Sequence, residues 1–375
     1  MHIKRTILLG LVSLALAGCG GHDFWAKPNP GSSSGSNPTG AVPKFAFAAN
    51  FNNGDVGSVS AYTVDNSSGA LTAVSGSPFA AGTGTVAVGA DSGGKFVFAA
   101  NQGGGVSAFT VDRTSGVLAE VTGSPFAAGT NPAWVAVDPG GRFVYVVNSG
   151  SNDVSGYTVN SSGALTAFSA RVTLGGTPIR ASVDPGGRFL YVGLGATGTA
   201  AFKINQTDGT LTLTDTVSPA PCAASDDMAL DPNSKFLFIA DGASAVCAYA
   251  VNASTGDLTL IANPGGSTNA FAAGANPVAV AVGANGKFLF TANRGSSNVS
   301  GFSINADGTL TAMSGSPFSS GSTPVDVTVD PSGSFVYTAN FGGSTLSIFT
   351  ISGSTLKSSG TATAGTTPNS VVTTQ

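Results

Sequence analysis

Short apolar runs of four to seven residues, separated by Gly, Asn, Asp and Pro, follow one another along residues 41–375. One stretch shows the pattern in full, with runs at 278–282, 287–293, 299–304 and 310–313. Val, Phe, Tyr and Ile dominate the runs and favour strands, whereas the residues between them favour turns. No segment shows a sustained helical period. The pattern therefore predicts four short antiparallel strands per unit, called A to D here in chain order.

The second strand of the unit carries a phrase that recurs seven times along the chain. Each copy places Phe and small or aliphatic residues after its first residue, and the starts are Lys44, Lys95, Arg142, Arg188, Lys235, Lys287 and Ser334. Successive starts are 46 to 52 residues apart. A repeat of about 45 residues made of strands and turns is typical of a propeller with one blade per repeat. We therefore predict an all-β fold, a seven-bladed β-propeller with four antiparallel strands in each blade.

The first copy of the phrase has no strand A before it, and the end of the chain supplies one. Residues 367–373, Thr-Pro-Asn-Ser-Val-Val-Thr, match the strand A pattern at 323–329, Thr-Pro-Val-Asp-Val-Thr-Val. We expect the C-terminal strand to join the N-terminal blade, because this closes the ring and removes its open sheet edges. The propeller is thus predicted to span residues 41–375.

Residues 1–18 have the pattern of a secretory signal peptide. Lys4 and Arg5 precede an apolar run at 7–16, which is too short for a stable membrane span. The sequence Leu16-Ala17-Gly18-Cys19 resembles the lipobox of bacterial lipoproteins. That resemblance implies cleavage before Cys19, lipidation of Cys19, including palmitate, and export to the cell envelope with the lipid as membrane anchor. Gly20 implies the outer membrane in a Gram-negative cell; the alternative is ordinary secretion with Cys19 removed.

Residues 19–40 are rich in Gly, Ser, Pro and Asn and predict a flexible tether between Cys19 and the propeller. Only 9% of all residues are charged, and the net charge is −4. There is no basic patch and no run of like charges, which argues against nucleic acid as a partner. We expect a monomer.

Cysteine usage points to one disulfide. With Cys19 assigned to the lipid, Cys222 and Cys247 remain, and an oxidising compartment favours their pairing. The only histidines are His2 and His22, outside the predicted propeller, so no metal site and no cofactor are expected.

Candidate site residues follow from propeller geometry. Strand A is innermost, and the start of A and the end of B share one face, so residues near the start of A rim one end of the central channel, called the channel mouth here. The second position after the Pro that opens strand A is the chemically varied column, and its members are Thr85, Trp134, Arg180, Asp227, Ala279, Asp326 and Ser370. Arg294 lies on an adjoining loop. The column predicts a small-molecule site that uses Trp134, Arg180, Asp227, Asp326 and Arg294; the alternative is a structural ion cluster that plugs the axis.

The repeats, including Phe-Val-Tyr-Val-Val-Asn at 143–148 and Phe-Val-Tyr-Thr-Ala-Asn at 335–340, resemble those of the seven-bladed lactonase family. That family contains 6-phosphogluconolactonase-type and muconate-lactonizing proteins and has the YVTN-repeat surface proteins as relatives. Over residues 41–375 the resemblance implies the fold and, by family, lactone hydrolysis. The His and Glu associated with the muconate-type enzymes have no counterpart, since Glu120 is the one Glu and falls on an outer strand. A phosphosugar lactone would also require more cations than Arg180 and Arg294 provide.

Three functions remain open. The main hypothesis is a lipid-anchored module that binds a small molecule or an envelope protein at the channel mouth. The alternative is a lactone hydrolase in which Asp326 or Asp227 is the general base and Arg180 stabilises the oxyanion. The third is a structural or adhesive surface protein without a small-molecule site.

Overall fold

The computed structural model describes residues 44–217, 222, 225–266 and 269–374. The predicted signal peptide, Cys19 and the tether at 19–40 lie outside the described residues. Within them the predicted fold is confirmed, with seven sheets each built on four antiparallel strands. The helical content of the described part is one 3₁₀ turn, Asn52–Gly54, and no described helix is long and apolar enough to cross a bilayer.

The strands are grouped by blade, from the innermost strand outwards. Blade 1 contains β32 (Pro368–Thr373), β1 (Lys44–Asn50), β2 (Val56–Val64), β3 (Leu71–Ala73) and β4 (Phe79–Thr83). Blade 2 contains β5 (Thr85–Ala90), β6 (Phe96–Asn101), β7 (Val106–Val111) and β8 (Leu118–Glu120). Blade 3 contains β9 (Pro132–Val137), β10 (Phe143–Asn148), β11 (Asp153–Val159), β12 (Leu165–Ala167) and β13 (Val172–Thr173). Blade 4 contains β14 (Arg180–Val183), β15 (Phe189–Gly193), β16 (Thr199–Ile204) and β17 (Leu211–Val217).

The remaining blades repeat this plan. Blade 5 contains β18 (Ser225–Leu230), β19 (Phe236–Asp241), β20 (Ala245–Val251), β21 (Leu258–Leu260) and β22 (Ala270–Ala272). Blade 6 contains β23 (Pro277–Val282), β24 (Phe288–Asn293), β25 (Asn298–Ile304), β26 (Leu310–Ala312) and β27 (Phe318–Ser319). Blade 7 contains β28 (Pro324–Val329), β29 (Phe335–Asn340), β30 (Thr345–Ser352) and β31 (Thr355–Thr363).

Outer strand D is split into two short pieces in blades 1, 3, 5 and 6, where the sequence pattern predicts a single strand. In blades 1 and 6 a Ser-Pro pair, at Pro78 and Pro317, separates the two pieces. Pairing ends at Ala73 and Ala312, a turn follows, and pairing resumes at the Phe after the proline, which itself has no N–H to give to the ladder.

The ring closes as the sequence predicts. Strand β32 from the C-terminus pairs with β1, with Val371 opposite Ala48. The A strands of neighbouring blades contact one another in an unbroken circle, β32, β5, β9, β14, β18, β23 and β28. Innermost strands from both ends of the chain therefore surround one axis.

The apolar core lies between blades. The Phe that opens strand B packs over the glycine in the C–D turn of the next blade, and an added Cβ on Gly163 would lie 2.7 Å from the Phe96 ring. Gly163 also has φ +87°, a conformation that disfavours other residues. In blade 7 the hydroxyl of Tyr337 adds a hydrogen bond of 2.9 Å to the carbonyl of Gly69 in blade 1. Each blade is thus held by its neighbours, as expected of a repeat protein.

A disulfide joins Cys222 to Cys247, with their Cα atoms 6.2 Å apart. It connects the segment before β18 to β20, and both residues are buried. The bridge therefore lies in the blade that contributes Asp227.

Candidate functional site

The varied column lies on strand A of each blade, one step after a bulge. Because of that bulge, the residue two places after the opening Pro pairs with the penultimate residue of strand B, as Asp326 does with Ala339. In blade 2 this position is Ala87, opposite Ala100. The assignment of Thr85 to the column is therefore wrong. Thr85 takes the place that Pro fills in other blades, opposite Asn101, and without a Pro the sequence gives no marker of the register.

Arg180 crosses the axis of the propeller. Its Nη1 lies 3.0 Å from Asp326 Oδ1, and its Nη2 donates to the carbonyl of Val325 at 2.9 Å. Arg180 belongs to blade 4 and these acceptors to blade 7, which are as far apart as two blades can be in a ring of seven. The same guanidinium stacks over the ring of Trp134 at 4.3 Å and lies 3.5 Å from Asp227 Oδ2. Trp134, Arg180, Asp227 and Asp326 are therefore brought together as one group, called the axial cluster from here on.

Backbone N–H groups hold the two carboxylates of the axial cluster in place. Asp227 Oδ2 accepts a hydrogen bond of 2.9 Å from the N–H of Val280, and Asp326 Oδ2 accepts one of 2.8 Å from the N–H of Val371. In both cases the donor belongs to the next blade. Arg180, Asp227 and Asp326 are only 8%, 6% and 4% exposed. The cluster is thus a buried, preoriented arrangement of one cation and two anions.

Burial and neighbouring charges shift the pKa values of Asp227 and Arg180. The pKa of Asp227 is raised to about 6, with burial as the main cause; Asp326 contributes to the rise and Arg180 opposes it. Burial alone would lower the pKa of Arg180, but the carboxylates of Asp227 and Asp326 raise it. At neutral pH the cluster therefore has a protonated guanidinium and, in Asp227, a carboxylate that takes up a proton more readily than an ordinary Asp.

A cavity of about 350 Å³ extends along the axis from the axial cluster. Trp134, Asp227 and Asp326 line one end of this axial cavity, and its lining reaches Ala90 and Pro185 near the A–B turns. Between the two ends the wall is formed mostly by Val and Ala side chains of the A strands. The cavity is large enough for a small ligand, and it has charged side chains at one end and aliphatic residues together with backbone polar groups along its wall.

The comparison with known families fits this architecture. The family model described as lactonase, 7-bladed beta-propeller, matches residues 101–200 and 194–373, which is most of the chain. The chain belongs to this lactonase family. No functionally curated protein matches it in sequence.

Solved structures with the same fold include several bacterial propellers. A candidate 6-phosphogluconolactonase from Bacteroides fragilis is 18% identical with a TM-score of 0.73, covering 91% of this chain and 100% of that one. The periplasmic gluconolactonase of Pseudomonas aeruginosa is 18% identical with a TM-score of 0.67, covering 89% and 99%. A protein from Lactobacillus plantarum is 20% identical with a TM-score of 0.71, covering 89% and 100%. At these identities the likeness shows the shared fold.

The fifth predicted ligand-binding residue of this lactonase-family propeller, Arg294, is not part of the axial cluster. It is exposed on the loop after β24, and no described residue forms an ion pair or a side-chain hydrogen bond with it. The structure describes no group of three or more His, Cys, Asp or Glu side chains placed to hold a metal ion.

The Asn residues that end strand B are structural. Asn340 is fully buried, and its Nδ2 donates to Thr345 and Ser347 on the neighbouring strand at 3.1 and 2.9 Å. Asn293 makes the equivalent bonds to Asn298 and Ser300. Amide side chains at this position join strands B and C at the channel mouth, and they leave the axial cluster as the chemically distinct group.

Sequence reasoning missed Asp226 next to Asp227. Burial raises the pKa of Asp226, Arg180 lowers it, and Asp241 at the end of strand B raises it. Asp241 replaces the usual Asn, and that substitution was the signal that carboxylates gather in blade 5. The surroundings of Arg180 are therefore more acidic than the column alone suggested.

Proposed function

We propose that this propeller hydrolyses an uncharged lactone at the polar end of the axial cavity. The observation that carries the proposal is Asp227, a carboxylate 6% exposed on the cavity wall, with its pKa raised to about 6. A base of this kind operates well near neutral pH. Membership of the lactonase family and the lactone-directed names of two structural neighbours support the reaction class.

In the proposed reaction Asp227 acts as general base. It takes a proton from water while the water oxygen forms a bond to the lactone carbonyl carbon. The tetrahedral intermediate then collapses, the bond from carbonyl carbon to ring oxygen breaks, and the ring oxygen receives the proton from Asp227. The product is a hydroxy acid, and Asp227 returns to its starting state.

In this scheme Asp227 transfers the proton, whereas Asp326 and Arg180 are bonded to each other. Asp326 is closer to Arg180 than Asp227 is, at 3.0 against 3.5 Å. Asp326 is also the carboxylate that accepts a hydrogen bond from Arg180, and burial prevails over Arg180 in setting the pKa of Asp227. A nearby cation alone would make a carboxylate a weaker base, so the raised pKa of Asp227 supports its proposed role.

The charge of the site favours an uncharged substrate. The axial cluster contains one cation and two carboxylates, and Asp226 lies close enough to Arg180 to interact with it. A phosphorylated or carboxylated lactone would bring further negative charge into a buried, acidic site, where repulsion is strong. Away from the cluster most lining residues are aliphatic, with Ser182 and Thr328 as the polar side chains, and the backbone edges of the A strands add polar groups. A lactone with an aliphatic substituent matches this wall.

The test is hydrolysis by the purified protein of a panel containing an alkyl δ-lactone, glucono-δ-lactone and its 6-phosphate. We expect turnover of uncharged lactones and a loss of about 10² to 10⁴-fold in kcat/KM in Asp227→Asn, as for removal of a general base. Glu120→Gln is the matched control, since Glu120 is an exposed carboxylate on an outer strand. Unchanged activity in Asp227→Asn would remove this mechanism.

The second candidate is a propeller that binds a ligand in the axial cavity without turnover. The hydrogen bonds of Arg180 to Asp326 and Val325 favour this candidate, because they tie the guanidinium to groups of the protein itself. Calorimetric binding of an unreacted lactone, with no hydrolysis of any member of the panel, would support this candidate and exclude the hydrolase.

A further inference from the structure

The inner edge of each A strand faces the axis and carries backbone donors. In blades 3, 4 and 7 the N–H groups of Asp138, Asp184 and Asp330 each donate to strand B at 2.9 Å. Donors on one edge of an antiparallel strand alternate with donors on the other. The N–H groups three residues earlier, on Val135, Ala181 and Val327, therefore point away from strand B and towards the axis. All three residues line the axial cavity.

In blades 6, 1 and 2 a side chain from the preceding blade accepts the hydrogen bond from the equivalent N–H. Asp227 accepts from Val280 at 2.9 Å and Asp326 accepts from Val371 at 2.8 Å. In the same way, Ser370 Oγ accepts from the N–H of Val88 at 3.4 Å. In these three blades the acceptor is the residue of the varied column one blade earlier.

Blades 3, 4, 5 and 7 lack this acceptor. The preceding column residues are Ala87, Trp134, Arg180 and Ala279, none of which has an oxygen in its side chain. In blade 5 the equivalent N–H, on Met228, interacts with the carboxylate of Asp227 instead, so the donors without a side-chain acceptor are those of blades 3, 4 and 7. Among the described residues, no side chain accepts a hydrogen bond from the N–H of Val135, Ala181 or Val327. Buried backbone donors are nearly always paired in native proteins, so donors aimed into a cavity indicate a partner that enters it.

We propose that the N–H groups of Val135 and Ala181 together bind the carbonyl oxygen of the lactone and stabilise the oxyanion that forms from it. This rests on the proposed hydrolase function and assigns to the backbone the role that the sequence suggested for Arg180. The two donors come from equivalent positions of adjacent blades, β9 and β14, whose strands are in contact. Held by the sheets, they need no reorganisation when charge develops. They are neutral, so they suit an uncharged substrate, and Arg180 remains bonded to Asp326.

The chain itself suggests the test. In Ala87→Ser the new hydroxyl should accept a hydrogen bond from the N–H of Val135, as Ser370 Oγ does from the N–H of Val88. One of the two proposed donors is then no longer free for the lactone. We expect kcat for the alkyl lactone to fall at least about 10-fold with KM nearly unchanged, because one oxyanion donor contributes about 10² to 10³-fold. Ala279→Ser is the matched control, since it acts on Val327 in blade 7, and kcat should stay within about twofold of the unmodified protein by the same reasoning. Wild-type kcat in Ala87→Ser, or equal losses in both variants, would overturn the proposal.

A second measurement separates this proposal from the hydrolase function and does not depend on the variants. A δ-lactam is a stable mimic of the lactone, and its titration is followed through backbone amide resonances of the unmodified protein. We expect the resonances of Val135 and Ala181 to shift more than that of Val327. Hydrolysis without these shifts would leave the hydrolase in place and remove the donor pair. Shifts without hydrolysis of any lactone would keep the pair as a carbonyl-binding site and remove the oxyanion role.

Discussion

Arg180 of blade 4 donates to Asp326 of blade 7 across the axis at 3.0 Å, so two distant blades are joined through a buried ion pair. Removing one partner of such a pair leaves an unpaired buried charge. The Arg180–Asp326 contact therefore contributes to the stability of the ring as well as to the site.

Asp326→Asn should lower the free energy of unfolding by about 3 kcal/mol, because the buried Arg180 then loses the carboxylate that is nearest to it and hydrogen-bonded to it. Arg180→Met combined with Asp326→Asn should cost less than the sum of the single changes, since the second change removes the unpaired cation. Urea unfolding of the four proteins measures the difference. Additive losses would show that the two side chains do not interact.

The pH dependence of kcat/KM should follow Asp227. Only its ionised form accepts a proton from water, so kcat/KM should rise as pH increases through about 6 and level off above it. Burial is the main cause of the raised pKa, Arg180 opposes it and Asp326 adds to it. Asp326→Asn removes the carboxylate that raises the pKa of Asp227 and keeps the cation that lowers it. The pKa of Asp227 should therefore fall, and the rising limb of kcat/KM should move to lower pH. A limb that stays in place would mean that another group controls the rate.

The same pKa has a consequence for stability. Because Asp227 binds its proton more tightly in the folded protein than in the unfolded chain, folding is favoured below the unfolded pKa of 3.8 and loses that contribution as pH rises to about 6. Asp227→Asn should therefore remove a fall in stability over this range. Thermal unfolding of the two proteins between pH 4 and 7 tests this, with Glu120→Gln as control.

The fold could be predicted from the sequence because every blade repeats its turn chemistry and its apolar strands. Ring closure was predictable for the same reason, from the match between 367–373 and 323–329. The members of the axial cluster were found through the same register, and blade 2 failed where a Thr replaces the opening Pro.

The contacts within the site could not be predicted. That Arg180 reaches blade 7 depends on its rotamer and on the width of the ring, which no local pattern encodes. The donors of Val135 and Ala181 are backbone groups and carry no side-chain signal. Their only trace in the sequence is an absence, since Ala87 and Trp134 stand where blades 5, 7 and 1 have Asp227, Asp326 and Ser370.

Tyr337→Phe tests the hydrogen bond at the seam where the ring closes. Its hydroxyl donates to Gly69 at 2.9 Å, and the group is buried. Losing the donor leaves a buried carbonyl unsatisfied, at a cost of about 1 to 3 kcal/mol. Phe98 and Phe290 occupy the equivalent positions of blades 2 and 6, so a Phe side chain fits at this position. Urea unfolding measures the loss, and Tyr145→Phe, which removes the bond to Gly209 within the ring, should cost a similar amount.

The residue before the Pro that opens strand A has a positive φ in blades 1, 3, 6 and 7. Thr323 has φ +55°, a left-handed conformation that β-branched residues adopt at a cost, whereas Asn tolerates it better. Blade 3 has Asn131 at this position, also with φ +55°. The conformation is retained because the carbonyls of Thr323 and Asn131 accept hydrogen bonds from Phe341 and Ser149, at 3.0 and 2.9 Å. Thr323→Asn should therefore raise the free energy of unfolding by about 0.5 to 1 kcal/mol, and Asn131→Thr should lower it by at least as much, since it also loses a side-chain bond to Ser149. Urea unfolding of both variants decides the matter, and changes of the same sign would show that side-chain contacts, not backbone strain, control stability at this position.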